Sequence, residues 1–174
     1  MVYFYIKGGY YMSKIILIRG NSGSGKTITA NEIHDILGEG TLLISQDYIR
    51  RTMLKVKDKP MNLAIGLIES MIEYGINNCE YTIVEGILAE NKYGAMLRNI
   101  VKKADSVYAY YYDLSFDETV RRHNTKMNND FNSEQMKEWF IPHDLLGIEN
   151  EKSIPDTITK DDMVKLVLKD INKM

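Results

Sequence analysis

The sequence predicts an α/β fold: a three-layer sandwich with a five-stranded, mainly parallel sheet, helices on both faces and a helical lid. Three observations lead there. Short apolar, β-prone runs alternate with stretches of helical periodicity along the chain, the pattern of parallel strands joined by right-handed crossovers. The first apolar run leads straight into Gly20-Asn21-Ser22-Gly23-Ser24-Gly25-Lys26-Thr27, a complete G-x-x-x-x-G-K-[ST] loop, and helical periodicity follows it. The chain is 174 residues long, 44% hydrophobic and 26% charged, which suits one compact domain with a proper core.

Lys14–Arg19, with its run Ile15-Ile16-Leu17-Ile18, is the first strand. The glycine-rich loop takes 20–26. Thr27 to Leu37 is a helix with Ile28, Ile33, Ile36 and Leu37 along one side and Gly38 as its stop. Thr41–Ser45 is the second strand, followed by a short helix from about Asp47 to Leu54. The charged stretch Lys55–Lys59 and Pro60 form a loop. Met61 to Ile76 is a long helix, because Ala64, Leu67, Ile68, Met71, Ile72 and Gly75 keep the i, i+3, i+4, i+7 spacing. Tyr81–Val84 is the third strand, ending in Glu85 and Gly86. Tyr93 to Ala104 is a helix facing inward through Met96, Leu97, Ile100 and Val101. Ser106–Tyr112, rich in β-forming residues, is the fourth strand. Ser115 and Glu118 fit a capping box that opens a helix through about Lys126. Asn128–Asn132 is polar and loop-like, and a helix with Met136, Trp139 and Phe140 follows. Glu151–Ile154 is a short fifth strand and Lys160–Lys173 a closing helix. Residues 12–174 therefore read as a single domain with a lid around 121–140.

Composition narrows the function. A formal net charge of −2 argues against a general duplex-DNA binder, while leaving room for a local basic groove. The single cysteine, Cys79, excludes an intramolecular disulfide and a cysteine-rich metal site; a reduced, cytoplasmic setting is expected. His34, His123 and His143 have no metal-ligand spacing. Residues 1–11 are aromatic but too short and interrupted for a membrane span, and they lack the parts of a signal peptide. With Met12-Ser13-Lys14 as a natural start, 1–11 read as an N-terminal extension; an added edge strand or a dimer contact is the alternative. A monomer or homodimer without membrane attachment is expected.

The glycine-rich loop carries the strongest chemistry. Its glycines permit close backbone approach, its amides and the following helix N-terminus suit phosphate oxygens, Lys26 can reach the β- and γ-phosphates, and the Thr27 hydroxyl can hold Mg²⁺. Gly20, Asn21, Ser22, Gly23, Ser24, Gly25, Lys26, Thr27 and Ile28 are accordingly the expected nucleotide-binding residues. In open parallel sheets ligands bind beyond the carboxyl ends of the strands, so the residues after each strand complete the site. After strand two, Asp47 can accept a proton from an attacking hydroxyl; capping of the short helix is its plainer role. Arg50 and Arg51, one turn on, either bind an anionic substrate group or form a solvated face. After strand three, Glu85 stands where an acid holds Mg²⁺, with Asp113 after strand four as its rival. Arg121, Arg122, His123 and Lys126 suit a cationic lid over the triphosphate, or else a basic helix end favoured by the helix dipole.

Together these segments resemble the small P-loop kinases, in particular the group that includes polynucleotide 5′-kinases, chloramphenicol phosphotransferase and zeta-toxin kinases. The resemblance rests on Gly20–Thr27, on Ile44 to Arg50, on Phe116 to His123 and on Glu138 to Leu146, and it spans residues 14 to about 170. It implies an ATP-dependent kinase with Mg²⁺, Asp47 as general base, and Lys26, Arg121 and Arg122 stabilising the transferred phosphoryl group. Glu85 departs from the Asp of related adenylate-type kinases. A guanine-reading N-K-x-D motif is absent, Asn91-Lys92-Tyr93-Gly94 being only a partial echo, so ATP is the expected donor. The acceptor hydroxyl is left open: a small molecule, or a nucleic-acid 5′ end received by Tyr48, Arg50, Arg51, Lys55 and Lys57. The alternative function is a nucleotide-binding switch with little phosphotransfer, which would want a water-positioning glutamine; Gln46, next to Asp47, points to the other side if the segment is extended.

Overall fold

A computed structural model describes residues 12–125 and 132–173; the extension 1–11, residues 126–131 (Lys126 and most of the polar loop among them) and Met174 lie outside them. Five parallel strands form one sheet in the order β2-β3-β1-β4-β5. The strands are β1 (Lys14–Gly20), β2 (Leu42–Ser45), β3 (Tyr81–Gly86), β4 (Ser106–Tyr112) and β5 (Lys152–Ile154). The helices are α1 (Lys26–Leu37), α2 (Leu63–Asn78), α3 (Glu90–Ile100), α4 (Phe116–His123), α5 (Ser133–Trp139) and α6 (Lys160–Asp170). A π-helical segment, Tyr48–Met53, follows β2, and a 3₁₀ turn, Val101–Lys103, ends α3.

The alternation of β1 divides the core. Ile15 and Leu17 pack with Ile68 and Ile72 of α2 and Leu97 and Ile100 of α3. Ile16 and Ile18 pack on the other face with Ala30 and Ile33 of α1 and Met163, Val164 and Val167 of α6. The four strand residues are at most 1% exposed, and burying each contributes about 1.5–3 kcal/mol. This two-sided burial makes β1 the central strand and produces the predicted three layers.

Several elements differ in detail from the sequence expectation. On α1 the buried residues are Lys26, Thr29, Ala30 and Ile33, while Ile28 and Ile36 are about half exposed, at 54% and 52%. The loop preceding α1 sets its rotation, so Ile28 faces a cleft instead of the core. α2 begins at Leu63 because the Asn62 side chain caps it, accepting from the Ala64 amide at 3.0 Å. α3 starts at Glu90, earlier than Tyr93, because both Asp144 carboxylate oxygens receive the Glu90 amide, at 3.2 and 3.0 Å. The Ser115 box is half made: Ser115 accepts from the Glu118 amide, but the Glu118 carboxylate turns to Arg121 and Arg122 instead of returning to the cap. The reciprocal capping box belongs to α5, between Asn132 and Gln135.

The register aligns the carboxyl ends of the strands. Gly20 sits opposite Tyr112, Arg19 opposite Gly86, Ser45 opposite Glu85, and Tyr112 opposite Ile154. Asp47, Glu85 and Asp113, which follow or end β2, β3 and β4, are thereby delivered to one edge of the sheet.

Candidate active site

The loop between β1 and α1 is held in a shape only glycine allows at two points. At Gly20 (φ +147°) a Cβ would lie 2.8 Å from the Tyr112 Cβ. At Gly23 (φ +83°) it would lie 2.4 Å from the Thr119 carbonyl oxygen. Lys26 is buried within the loop, and its Nζ donates to the Asn21 carbonyl at 2.7 Å and the Ser24 hydroxyl at 3.1 Å. The loop thus runs into the N-terminus of a 12-residue helix with its lysine folded back over it, a concave array suited to phosphate.

Thr27 and Glu85 are brought together. The Thr27 hydroxyl donates to Glu85 Oε2 at 3.0 Å, and the Ser45 hydroxyl donates to Glu85 Oε1 at 2.5 Å. Glu85 is 2% exposed. A hydroxyl and a carboxylate beside the phosphate loop form a hard-oxygen donor set that fits Mg²⁺, which is commonly held by one or two carboxylates, substrate phosphates and water. Among the described residues no group of three or more His, Cys, Asp or Glu gathers as a separate metal cage. Asp113 is otherwise engaged, with His143 Nδ1 at 2.8 Å and the Ser153 hydroxyl at 3.1 Å.

Asp47 stands at the start of the π-helical segment and makes no capping bond with its side chain. Its Oδ1 accepts instead from Arg50 Nη2 at 2.9 Å, with Arg51 Nε at 3.5 Å. The Asp47 side chain is 53% exposed and lines a cleft of about 760 Å³ together with Ser22, Arg50, Arg51, Asn91, Lys92 and Trp139. Asn91 and Lys92 are therefore on this side of the phosphate loop.

A second cleft, of about 390 Å³, opens on the other side. Gly23, Ser24, Gly25 and Ile28 line it, with Tyr112, Arg121, Arg122 and residues 156–160. Arg122 braces this cleft: its Nε donates to Glu118, its Nη1 to the Ser24 carbonyl at 3.1 Å, and its Nη2 to the Asp156 and Ile158 carbonyls at 2.9 and 3.0 Å. Arg121 is exposed and forms a two-pronged pair with Glu118, at 2.6 and 2.8 Å. The Arg121 hydrogen bond, joined by Arg122, holds the Glu118 carboxyl well below its ordinary value, at about 2.

Solved structures share this fold. A gluconokinase from Sinorhizobium meliloti 1021 superposes with a TM-score of 0.66 at 16% identity, over 94% of this chain and 93% of that one. An APS kinase of Mycobacterium tuberculosis, solved with AMPPNP and APS, gives 0.66 at 15% identity, over 92% and 98%. The tunicamycin resistance protein of Deinococcus radiodurans gives 0.65 at 15% identity, over 93% and 97%. The chain has the fold of the small P-loop kinases. No protein-family model matches the sequence. No curated protein matches it either. Among the described residues no helix is long and apolar enough to cross a membrane.

Sequence reasoning missed four parts of this candidate site. Arg19, at the end of β1 and fully buried, donates to the Leu88 carbonyl and pairs with Asp144 at 2.8 Å and Glu151 at 3.2 Å. Burial pushes its guanidinium pKa down, against the pull of both carboxylates. Residues 156–160 wall the smaller cleft, and Trp139 with Asp58 and Lys92 walls the larger. The Asn21 side chain reaches across to Ile141. Only Arg19 left a signal, a charge ending an otherwise apolar strand; the others are long-range contacts with no local pattern.

Proposed function

We propose that the chain is an ATP-dependent kinase that transfers the γ-phosphoryl group of ATP to a hydroxyl group. The observation that carries this reading is the placing of the phosphate loop between two clefts. Ser22 faces the larger cleft and Gly23 to Gly25 the smaller. A nucleoside in the smaller cleft would present its triphosphate at the loop, and an acceptor in the larger cleft would lie beside Asp47. Transfer between two bound molecules needs two such sites, whereas a switch needs one. The reported complex of the Mycobacterium tuberculosis APS kinase with AMPPNP and APS supports an acceptor of its own kind on the same fold.

In this reading Gly20 to Ile28 hold the nucleotide. Lys26 turns from Asn21 and Ser24 to the β- and γ-phosphates. Thr27 and Glu85 would hold Mg²⁺, which would supply positive charge against the phosphate oxygens. Asp47 accepts the acceptor's proton as its oxygen bonds to the γ-phosphorus; the bond from that phosphorus to the bridging oxygen breaks, and ADP leaves. Arg50 and Arg51 take an anionic group of the acceptor, and Arg121 and Arg122 stabilise charge from the lid side. Trp139 adds an aromatic surface to the acceptor cleft, so a nucleic-acid 5′ end and a small alcohol both remain within this chemistry.

The switch reading has less support. Gln46 is 2% exposed, and its Oε1 accepts from the Leu88 amide at 3.0 Å, so its carbonyl oxygen anchors a loop. The deciding experiment is a panel of candidate alcohols with labelled ATP, run on the wild type and on Asp47→Ala. Acceptor-dependent label transfer that falls by roughly 10²–10⁴ in the variant, with nucleotide binding retained, is the expected result. Full acceptor-dependent turnover in Asp47→Ala would remove the proposed base.

A further inference from the structure

We propose that Asn21 is a positioning residue that links the occupancy of the phosphate loop to the wall of the larger cleft at Trp139–Ile141. The linkage rests on contacts within the chain itself; its use in phosphoryl transfer rests on the kinase reading above.

Asn21 follows the first glycine of the loop and is 5% exposed. Its side-chain amide pairs with both polar groups of a single residue 120 positions away. Nδ2 donates to the Ile141 carbonyl at 2.7 Å, and Oδ1 accepts from the Ile141 amide at 2.9 Å. A carboxamide of this length offers a donor and an acceptor at once, the match a peptide unit requires; Ser, Thr or Asp cannot supply both in this geometry. The Tyr111 hydroxyl of β4 donates to the same carbonyl at 3.1 Å and also receives Asn21 Nδ2 at 3.3 Å.

The main chain of Asn21 is engaged as well. Its carbonyl accepts the Lys26 ammonium at 2.7 Å. One residue therefore holds the phosphate-binding lysine through its backbone and Ile141 through its side chain. When Lys26 turns towards a triphosphate, it leaves the Asn21 carbonyl. The peptide at Asn21 then loses a charged partner, and its side chain is the lever through which that change reaches Ile141.

The segment on the far end of the lever is poised to respond. Its three consecutive residues face three different parts of the molecule. Trp139 lines the larger cleft. Phe140 packs edge-on against Phe116 of α4, with ring centroids 5.4 Å apart. Ile141 is held by Asn21 and Tyr111. A shift at Ile141 therefore moves the aromatic wall of the acceptor side and the helix bearing Arg121 and Arg122 together. Donor binding would shape the acceptor cleft before the acceptor arrives.

Trp139 is the single tryptophan of the chain, so tryptophan emission reports on this wall. The test records that emission, and hydrogen exchange at the Ile141 amide, in the full-length wild type, N21A, N21D and K26M. Each protein is measured without ligand and with Mg·AMPPNP at a saturation set by calorimetry. K26M is expected to change the emission in the absence of any ligand. N21A is expected to speed exchange at Ile141 roughly fivefold to tenfold, the factor one neutral hydrogen bond supports. Mg·AMPPNP is expected to shift the wild-type emission, and saturated N21A to lose most of that shift. N21D, which preserves side-chain volume and the acceptor for the Ile141 amide, is expected to retain part of it. A K26M protein with wild-type emission and wild-type Ile141 exchange overturns the linkage. So does a saturated N21A protein with the full shift. If calorimetry finds no nucleotide binding while K26M still moves the emission, the linkage stands and the kinase reading falls.

Discussion

The Thr27 hydroxyl donates to Glu85 Oε2 at 3.0 Å, joining the end of the phosphate loop to the end of β3 across 58 positions of sequence. The parallel register places Ser45 opposite Glu85 and adds the second hydroxyl. A buried carboxyl group oriented by two hydroxyls is thereby fixed beside the glycine-rich loop. Glu85→Gln keeps the shape and removes the charge. It is expected to weaken Mg²⁺-dependent nucleotide binding about 10- to 100-fold while changing metal-free binding far less. Calorimetry with ADP, with and without Mg²⁺, reads the difference; an unchanged Mg²⁺ dependence would take Glu85 out of the metal site.

Arg19 ties the segment after α5 to the central strand. Arg19→Ala leaves the Asp144 and Glu151 carboxylates, 11% and 4% exposed, without their buried cation, and strips the Leu88 carbonyl of its donor. Breaking one side of a buried pair in this way costs about 3–5 kcal/mol. Urea unfolding should show that loss. A cost below about 1 kcal/mol would place the pair among weak surface bridges.

Gly23→Ala combines two faults. Its φ of +83° disfavours any side chain, and its Cβ would sit 2.4 Å from the Thr119 carbonyl of α4. The variant is expected to lose about 1–3 kcal/mol of stability and to bind nucleotide poorly, because the loop must shift away from α4. Gly25→Ala is the control. Its φ of +97° is also unfavourable, but no atom lies within 4 Å of the added Cβ, so its cost is expected to be smaller. Thermal melts of the two variants give the comparison.

Acid should loosen α4 through Glu118. Its folded carboxyl is held near 2 by Arg121 and Arg122, below the ordinary value of 4.5. A depressed carboxyl contributes stability that is fully present above its unfolded pKa and is lost as pH falls through the folded one. The contribution is therefore whole above about 4.5 and fades between there and about 2. Glu118→Gln should lower the melting temperature at neutral pH, and the gap to the wild type should close across that window. A gap that persists below it would contradict the assignment.

Legibility followed the range of the interactions. β1, β3 and β4 were readable from local apolar runs, because strands buried on both faces are largely apolar, whereas the edge strand β5, Lys-Ser-Ile with only Ile154 buried, has no such run. The glycine-lysine-threonine loop was readable because its chemistry lies within eight consecutive residues. Asp47 and Glu85 were readable as positions because strand ends mark the ligand edge of a parallel sheet. The facing side of α1 was misjudged. Its apolar spacing marked Ile28 and Ile36, and the loop's geometry turned both outwards. The Ser115 capping box was half right, because two arginines on the following turn compete for the Glu118 carboxylate.

By itself, the sequence determined the alternation of elements, the central hydrophobic strand and a phosphate-binding loop between strand and helix. All three follow from contacts among near neighbours and from the periodicity of burial. Only the tertiary structure decided that Asp47 and the smaller cleft lie on opposite sides of that loop, that Arg122 braces one cleft, that Arg19 fastens the segment bordering the other, and that Asn21 reaches Ile141. The last three of these pairings join residues separated by about a hundred positions or more, and no local spacing records them. They are set by strand order and register, which bring distant loops to one edge of the sheet.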